Sequence, residues 1–294
     1  MASTPFASSS SVSPAPKHPD TIVWRARAGW NPVDLAELWQ FRELLWVLAH
    51  RDIKVRYKQA ILGTAWFVFQ PLLTTGVFTF LFGNLAGMPS DGKPYPIFAY
   101  SAILVYMLFS RCLASASMSL VGNQHLITKV YFPRLLYPLA PALSNTLDFL
   151  VGSIVLVILM GIYRIEVHWP LFVTPLLVLL AVLCGVAIGL WLGALNVRYR
   201  DVGVLVPLVT QLWMYATPVV YPLSLVKEKW PRLYPLFFLN PMTGIVEGFR
   251  WAILGANDEP PLLMLTVAVA VISLTLAGGL LYFRRMEDTF ADVV

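Results

Sequence analysis

RDIKVRYKQAILGTAWFVFQP, residues 51–71, changes character halfway along its length. Arg51, Lys54, Arg56 and Lys58 stand against one carboxylate, Asp52, and beyond Lys58 no charge follows and the side chains turn apolar and aromatic. A chain leaving a basic membrane surface for hydrocarbon changes in this way. Lys and Arg cost about 2.5–3.5 kcal/mol each at the centre of a span and are favoured on its cytoplasmic side. The stretch therefore predicts an inside-to-outside direction for a first membrane span. Gln70 and Pro71 fall near the middle of that span, where Pro removes a backbone hydrogen bond and Gln adds an amide that needs a partner. Both suit a helix that faces protein or a water-filled path.

Composition carries the same reading over the whole chain. Only 13% of residues are charged and 58% are hydrophobic, with a mean hydropathy of +0.70; a soluble domain is about one quarter charged. The expectation is an all-α integral membrane protein. The 294 residues hold about six spans of ~20 residues, which the apolar runs place at 61–82, 96–119, 136–162, 170–195, 203–221 and 262–283. With the start inside, fourteen Lys and Arg fall in inner segments and six in outer ones, so both termini are expected in the cytoplasm. An odd number of spans would put Arg284 and Arg285 outside and weaken that bias. The net charge of +5 thus reads as topology and not as nucleic-acid binding. Cys112 and Cys184 sit in or beside apolar runs and read as buried small hydrophobes, with no disulfide and no metal site.

Three segments lie outside that pattern. Residues 1–31, rich in Ser, Pro and Ala at their start, are expected to be a disordered cytoplasmic N-terminus. Residues 32–50 read as an amphipathic helix: Asn31 can cap it, Pro32 sits in its first turn, and Asp34 and Glu37 lie near its positive end. It is too charged to span. It either lies along the inner membrane surface or packs on a soluble partner. Residues 51–294 form the membrane domain. Within it, Pro222 to Pro261 is aromatic and only moderately apolar, and Asn240-Pro241 divides it. Two short helices dipping into the outer leaflet would suit this mix, provided that protein covers their backbone; a pair lying flat on the outer surface is the other reading. Glu247 and Arg250 stand at i, i+3, close enough to pair.

The chain carries no phosphate-cradling Gly-rich loop with its Lys, no His-Glu-x-x-His pair and no clustered metal ligands. No catalytic constellation supports nucleotide hydrolysis here. The inner loop Gly122 to Arg134 could form a one- to two-turn helix from Asn123, presenting Leu126, Ile127, Lys129 and Val130 to a partner's groove, or it is an ordinary loop with a capping signal. Arg198, Arg200 and Asp201 anchor the inner border of the fourth span. Asp148, deep in the third span, is costly there and needs a partner; Arg111 is one candidate, and contact with a substrate is the alternative role.

Four motifs stand in order: Arg51-Asp-x3-Arg56-Tyr57-x4-Leu62-Gly63-x2-Trp66, the run Asn196 to Val202, Gln211-x6-Pro218-Val-x-Tyr221-Pro222, and Leu239-Asn240-Pro241-x8-Arg250. Together they resemble the membrane subunit of ABC-2-type polysaccharide exporters, the group of O-antigen, capsule and teichoic-acid permeases, over about residues 32–290. The resemblance implies a homodimer of six-span subunits around a sugar channel in the bacterial cytoplasmic membrane. It implies two copies of a separate ATPase that holds ATP and Mg, so that this chain carries no cofactor. The 122–134 loop would rest on that ATPase. The start helix, with the border residues Arg51, Arg56 and Tyr57, would gate the inner mouth, and the re-entrant pair, with Asn240, Pro241, Glu247 and Arg250, would close the outer one. The substrate would be a glycan on an undecaprenyl-type lipid, among ordinary membrane lipids and with no nucleic acid. A moving polymer is best held weakly by aromatic faces, which nominates Trp66, Phe69 and Gln70 in the first span and Gln211, Trp213, Tyr215 and Tyr221 in the fifth. Aromatics at span ends also form interface belts. The alternatives are an ABC-2 exporter of a drug or small lipid, with a narrower path, and an ion-coupled carrier, which should show several midplane carboxylates where this chain offers Asp148.

Overall fold

The computed structural model describes residues 35–58, 65–124, 133–255 and 259–293, and no strand occurs among them. α1 (Leu35–Gln40) and α2 (Arg42–Lys58) are divided only at Phe41, whose carbonyl still accepts from Leu45 N at 3.0 Å. The expected helix over 32–50 therefore runs on through the cationic stretch. Nothing in 42–58 stops it, since no Gly or Pro interrupts that segment. The expected disordered residues 1–31 and the cap at Asn31 lie outside the described residues.

α3 (Ala65–Phe78) continues into a wider π-helical stretch, Thr79–Leu85, and Pro71 is buried inside it. α4 (Tyr95–Gly122) is the hub: it packs against α3, α5 (Leu136–Ile162), α6 (Thr174–Arg198), α7 (Asp201–Ala216) and α10 (Pro241–Leu254). Ile97, Phe98, Val105, Phe109, Leu113 and Leu120, spread around its circumference, are all fully buried. α6 comes closest to it. A Cβ added at Gly185 would stand 2.7 Å from the Phe109 carbonyl oxygen, and one at Gly189 only 2.5 Å from Ala116 Cβ. With Gly193 one turn on, these form a stripe of glycines at four-residue spacing that lets two backbones meet. Close backbone approach is how helices associate in lipid, where burial of apolar area between helices gives no drive. α11 (Leu262–Val293) closes on the other side of α6, where Trp191 stacks on Tyr282 at 5.0 Å and donates Nε1–H to the Thr275 carbonyl.

Among the described residues, five helical stretches are long and apolar enough to cross a membrane: 65–85, 95–122, 136–162, 169–198 and 262–286. They match five of the six expected spans closely. The remaining one, expected over 203–221, differs. α7 has 16 residues, about 24 Å at 1.5 Å per residue, short of the ~30 Å hydrocarbon core. It stops at Ala216 because Pro218 cannot donate and disfavours helix at Thr217 before it. Thr217, Val219 and Val220, past its end, are nonetheless buried.

Beyond them, α8 (Leu223–Lys229) and α9 (Leu236–Leu239) are short and partly exposed, whereas every residue of α10 is buried. α10 starts where the sequence places a boundary: Asn240 Oδ1 accepts from Met242 N at 3.1 Å, and Pro241 occupies the first helical position. It ends on Gly255 at φ +55°, a left-handed cap that favours Gly. Protein encloses α10 on all sides, unlike a helix laid flat on a surface.

Candidate functional site

Three polar joints hold this apolar bundle, and each sits where a motif residue falls. The first ties α2 to the core. Arg56 Nη1 donates to Asp148 Oδ2 at 2.6 Å and to Asn145 Oδ1 at 3.0 Å, while Asn145 Nδ2 donates to Ser115 Oγ of α4 at 2.8 Å. The Asp148 side chain is 1% exposed. It lies about 18 Å along α5 from Leu136, at ~1.5 Å per residue, so α2 reaches well up the third span. Arg51 Nη2 pairs with Asp52 at 2.9 Å and donates to Asn123 Oδ1 at 3.0 Å, and Asn123 in turn bonds the Ser119 carbonyl. The structure thus gives Asp148 the cation Arg56, and the suggested Arg111 lines the same small cavity as Asp148. Arg111 donates to Gln70 Oε1 at 2.8 Å and lies 5.0 Å over the Phe67 ring. Asn145 was passed over in the sequence; an Asn one turn before the only carboxylate of an apolar span was the available signal.

The second joint is the turn between α6 and α7. Asn196 is buried; its Nδ2 donates to the Ser117 carbonyl of α4 at 3.1 Å, and its Oδ1 accepts from Gly203 N at 3.0 Å. One amide side chain closes the turn and fastens it to the hub. Arg198, Arg200 and Asp201, the expected anchors, are exposed, with the Arg198 guanidinium 5.4 Å over Tyr199. The buried hydrogen bonds of this turn are made by Asn196.

The third joint is Arg250. It is 1% exposed and pairs with Glu247 Oε1 at 3.0 Å, one turn back on α10. It also donates to the carbonyls of Pro218 and Val219, each at 2.6 Å, and of Phe98 at 3.4 Å, and its guanidinium lies 3.6 Å over the Phe98 ring. The non-helical residues after α7 would otherwise bury unpaired carbonyls, a cost of about 1–3 kcal/mol each. Tyr95 Oη donates to the Val220 carbonyl at 2.6 Å and finishes the same task.

The aromatic residues nominated for a path divide into two groups. Trp66 and Phe69, their rings 6.1 Å apart, are each 47% exposed; Gln70, Gln211 and Tyr215 are exposed as well. Both helices that carry them pack on α4. Trp213 and Tyr221 are partly buried and engaged in structure. Trp213 Nε1 donates to Asn240 Oδ1 at 3.0 Å, its ring meeting Phe109 edge-on, and Tyr221 Oη donates to the Tyr215 carbonyl at 3.0 Å. Asn240 Nδ2 bonds Thr217 Oγ1 at 3.0 Å, so α7 and the start of α10 are stitched together. A cavity of about 690 Å³ opens between α6, α7, α9 and α11, lined by Cys184, Ile188, Trp213, Phe237 and Ile272 among others. Of the loop residues nominated for a partner, Asn123 ends α4, while Leu126, Ile127, Lys129 and Val130 lie outside the described residues, as does the side chain of Tyr57.

Sequence relatives cover nearly the whole chain. It is 31% identical over 261 residues to the O-antigen export system permease protein RfbA of Myxococcus xanthus, spanning 88% of this chain and 98% of that protein. It is 26% identical to the O-antigen export system permease protein RfbA of Klebsiella pneumoniae, over 86% and 95% of the two chains. Against the polysialic acid transport protein KpsM of Escherichia coli the identity is 22%, over 81% and 91%. Residues 43–254, from α2 to the end of α10, match the family model described as ABC-2 type transporter. This multi-pass chain belongs to the ABC-2 type transporter family.

Proposed function

We propose that the chain is the channel-forming membrane subunit of an ATP-driven exporter of a lipid-linked, O-antigen-like polysaccharide. The observation that carries this is the near full-length match to relatives named for O-antigen export. Two subunits assemble as a homodimer in the cytoplasmic membrane, with both termini inside and two copies of a separate ATPase, which binds ATP and Mg, beneath the 122–134 loop. α7 and the buried residues to Pro222 together make the fifth of six spans. The segment from α8 to α10 forms the re-entrant outer gate and α1–α2 the inner one. The glycan passes along Trp66, Phe69, Gln70, Gln211 and Tyr215. These are exposed on the single chain, and their flat faces hold sugar rings without fixing register. Trp213 and Tyr221 support the wall from behind.

Deleting the gene in its host tests this reading. Surface glycan should disappear, lipid-linked polymer should collect on the inner side, and the intact chain supplied in trans should reverse both. Unchanged surface glycan in the deletion strain would reject glycan export and turn attention to a smaller substrate.

A further inference from the structure

The cavity of about 690 Å³ between α6, α7, α9 and α11 lies halfway along two of the spans. Cys184 and Ile188 on its wall stand near the centre of 169–198, and Val271, Ile272 and Thr275 near the centre of 262–286. At that depth no bulk water is present to fill it, and an apolar cavity stays dry. The wall offers a polar guest little. The Trp213 indole N–H is spent on Asn240 Oδ1 at 3.0 Å, and the Asn240 amide donates to Thr217 Oγ1 at 3.0 Å. The cavity is not sealed, because Ala216, Leu236 and Leu239 line it and are exposed. Its mouth therefore opens on the outside of the chain, where lipid tails are the solvent. Volume selects among tails. An apolar cavity of ~150 Å³ takes one six-carbon ring, so about 690 Å³ takes a chain of roughly 25 carbons, enough for one acyl chain and about half of an undecaprenyl chain.

We propose that this cavity is a binding site for one acyl chain of a membrane phospholipid, which enters sideways from the bilayer. The acyl chain lies on the Trp213 side of α7; Gln211 and Tyr215, exposed, are each two residues away, roughly 200° around the helix. It props α7 against α6 and α11 and supplies the partner atoms that an empty space would deny to their side chains. The site goes beyond glycan export and does not depend on what is exported.

Photocrosslinking of the full chain in nanodiscs tests it. The bilayer is phosphatidylethanolamine and phosphatidylglycerol, doped with a phospholipid that carries a diazirine midway along one acyl chain, and adducts are mapped by peptide mass spectrometry. Adducts should concentrate on 184–188 and 271–275, several-fold above those at Ile154 and Val157 of α5, which are exposed and report lipid that merely surrounds the bundle. Ile188→Trp fills the cavity and should cut its adducts several-fold while those at Ile154 and Val157 stay. Should Ile188→Trp fail to fold, Ala216→Trp fills the cavity from an exposed position and should give the same selective loss. Adducts no denser in the cavity than on α5, or unmoved by the filling variant, overturn the site and leave the space to a second copy of the chain. A second arm uses a polyprenyl phosphate with the same diazirine at equal mole fraction; denser labelling of the cavity by that probe overturns the acyl assignment in favour of an isoprenoid tail.

Discussion

At the scale of residues, Arg250 shows why a guanidinium, and not any cation, stands buried in this bundle. Its planar fork serves Glu247, two carbonyls of the non-helical segment after α7 and the face of Phe98 at once; an ammonium cannot cover all of these directions. Arg250→Ala should cost about 3–5 kcal/mol, the usual result of stripping one partner from a buried pair, and Arg250→Lys should recover only part of it. Thermal unfolding of the detergent-purified chain measures both, and equal stability of Lys and Arg would contradict the fork. The exposed aromatics follow different logic. Trp66→Ala and Tyr215→Ala remove side chains about half exposed, so each should slow export of surface glycan several-fold while stability and assembly hold; normal glycan in both would remove them from the path. The Glu247–Arg250 pair was legible in the sequence, because three residues of helix separate its members. The Arg56–Asp148 pair was not: its members stand 92 positions apart, and only the docking of α2 on α5 brings them together.

Elements were read from hydropathy with good agreement at long apolar runs and poor agreement where backbone chemistry decides. The third span, expected at 136–162, is Leu136–Ile162 in the structure. Over 203–221 the helix itself ends at Ala216, whereas an apolar average carries no record of Pro218, which ends α7. The helix over 32–50 was drawn too short, since the charges of 51–58 read as a border although they continue a helix that docks through Arg56. The glycine stripe of α6 was present in the sequence but went unread; a four-residue spacing of Gly within an apolar run was the signal. Gly189→Leu should drive α6 off α4, because its first side-chain carbon alone meets Ala116 Cβ at 2.5 Å. Overpacking of this kind costs about 1–3 kcal/mol or more. Lowered yield of folded protein, partly restored by Ala116→Gly, is the expected result, and full yield of Gly189→Leu alone would show that the two helices do not meet there. For the inner loop, Leu126→Asp should abolish co-purification with the ATPase while the membrane domain stays folded, and undiminished co-purification would remove the loop from that contact.

For the whole molecule, the orientation proposed from the charge distribution is the premise on which every inner and outer role depends, and the chain is well suited to testing it. Both native cysteines, Cys112 and Cys184, are free and buried, so an impermeant maleimide should find almost no background. Lys229 at the end of α8 and Arg200 between α6 and α7 are exposed and are expected on opposite sides. With the positive-inside bias, Arg200 belongs to the cytoplasm and Lys229 faces out. Lys229→Cys should therefore label in intact spheroplasts, and Arg200→Cys only after the membrane is permeabilised. The pair also tests the shortened α7. The chain between the two positions contains a 16-residue helix and a buried, non-helical continuation. If that continuation completes the crossing, the labels part as stated. If α7 instead enters and returns on one side, both cysteines label together, and the chain has an odd number of crossings. In that case Arg284 and Arg285 would move outside with the end of α11, the charge bias that set the orientation would weaken, and the assignment of α2 as the inner gate would have to be withdrawn.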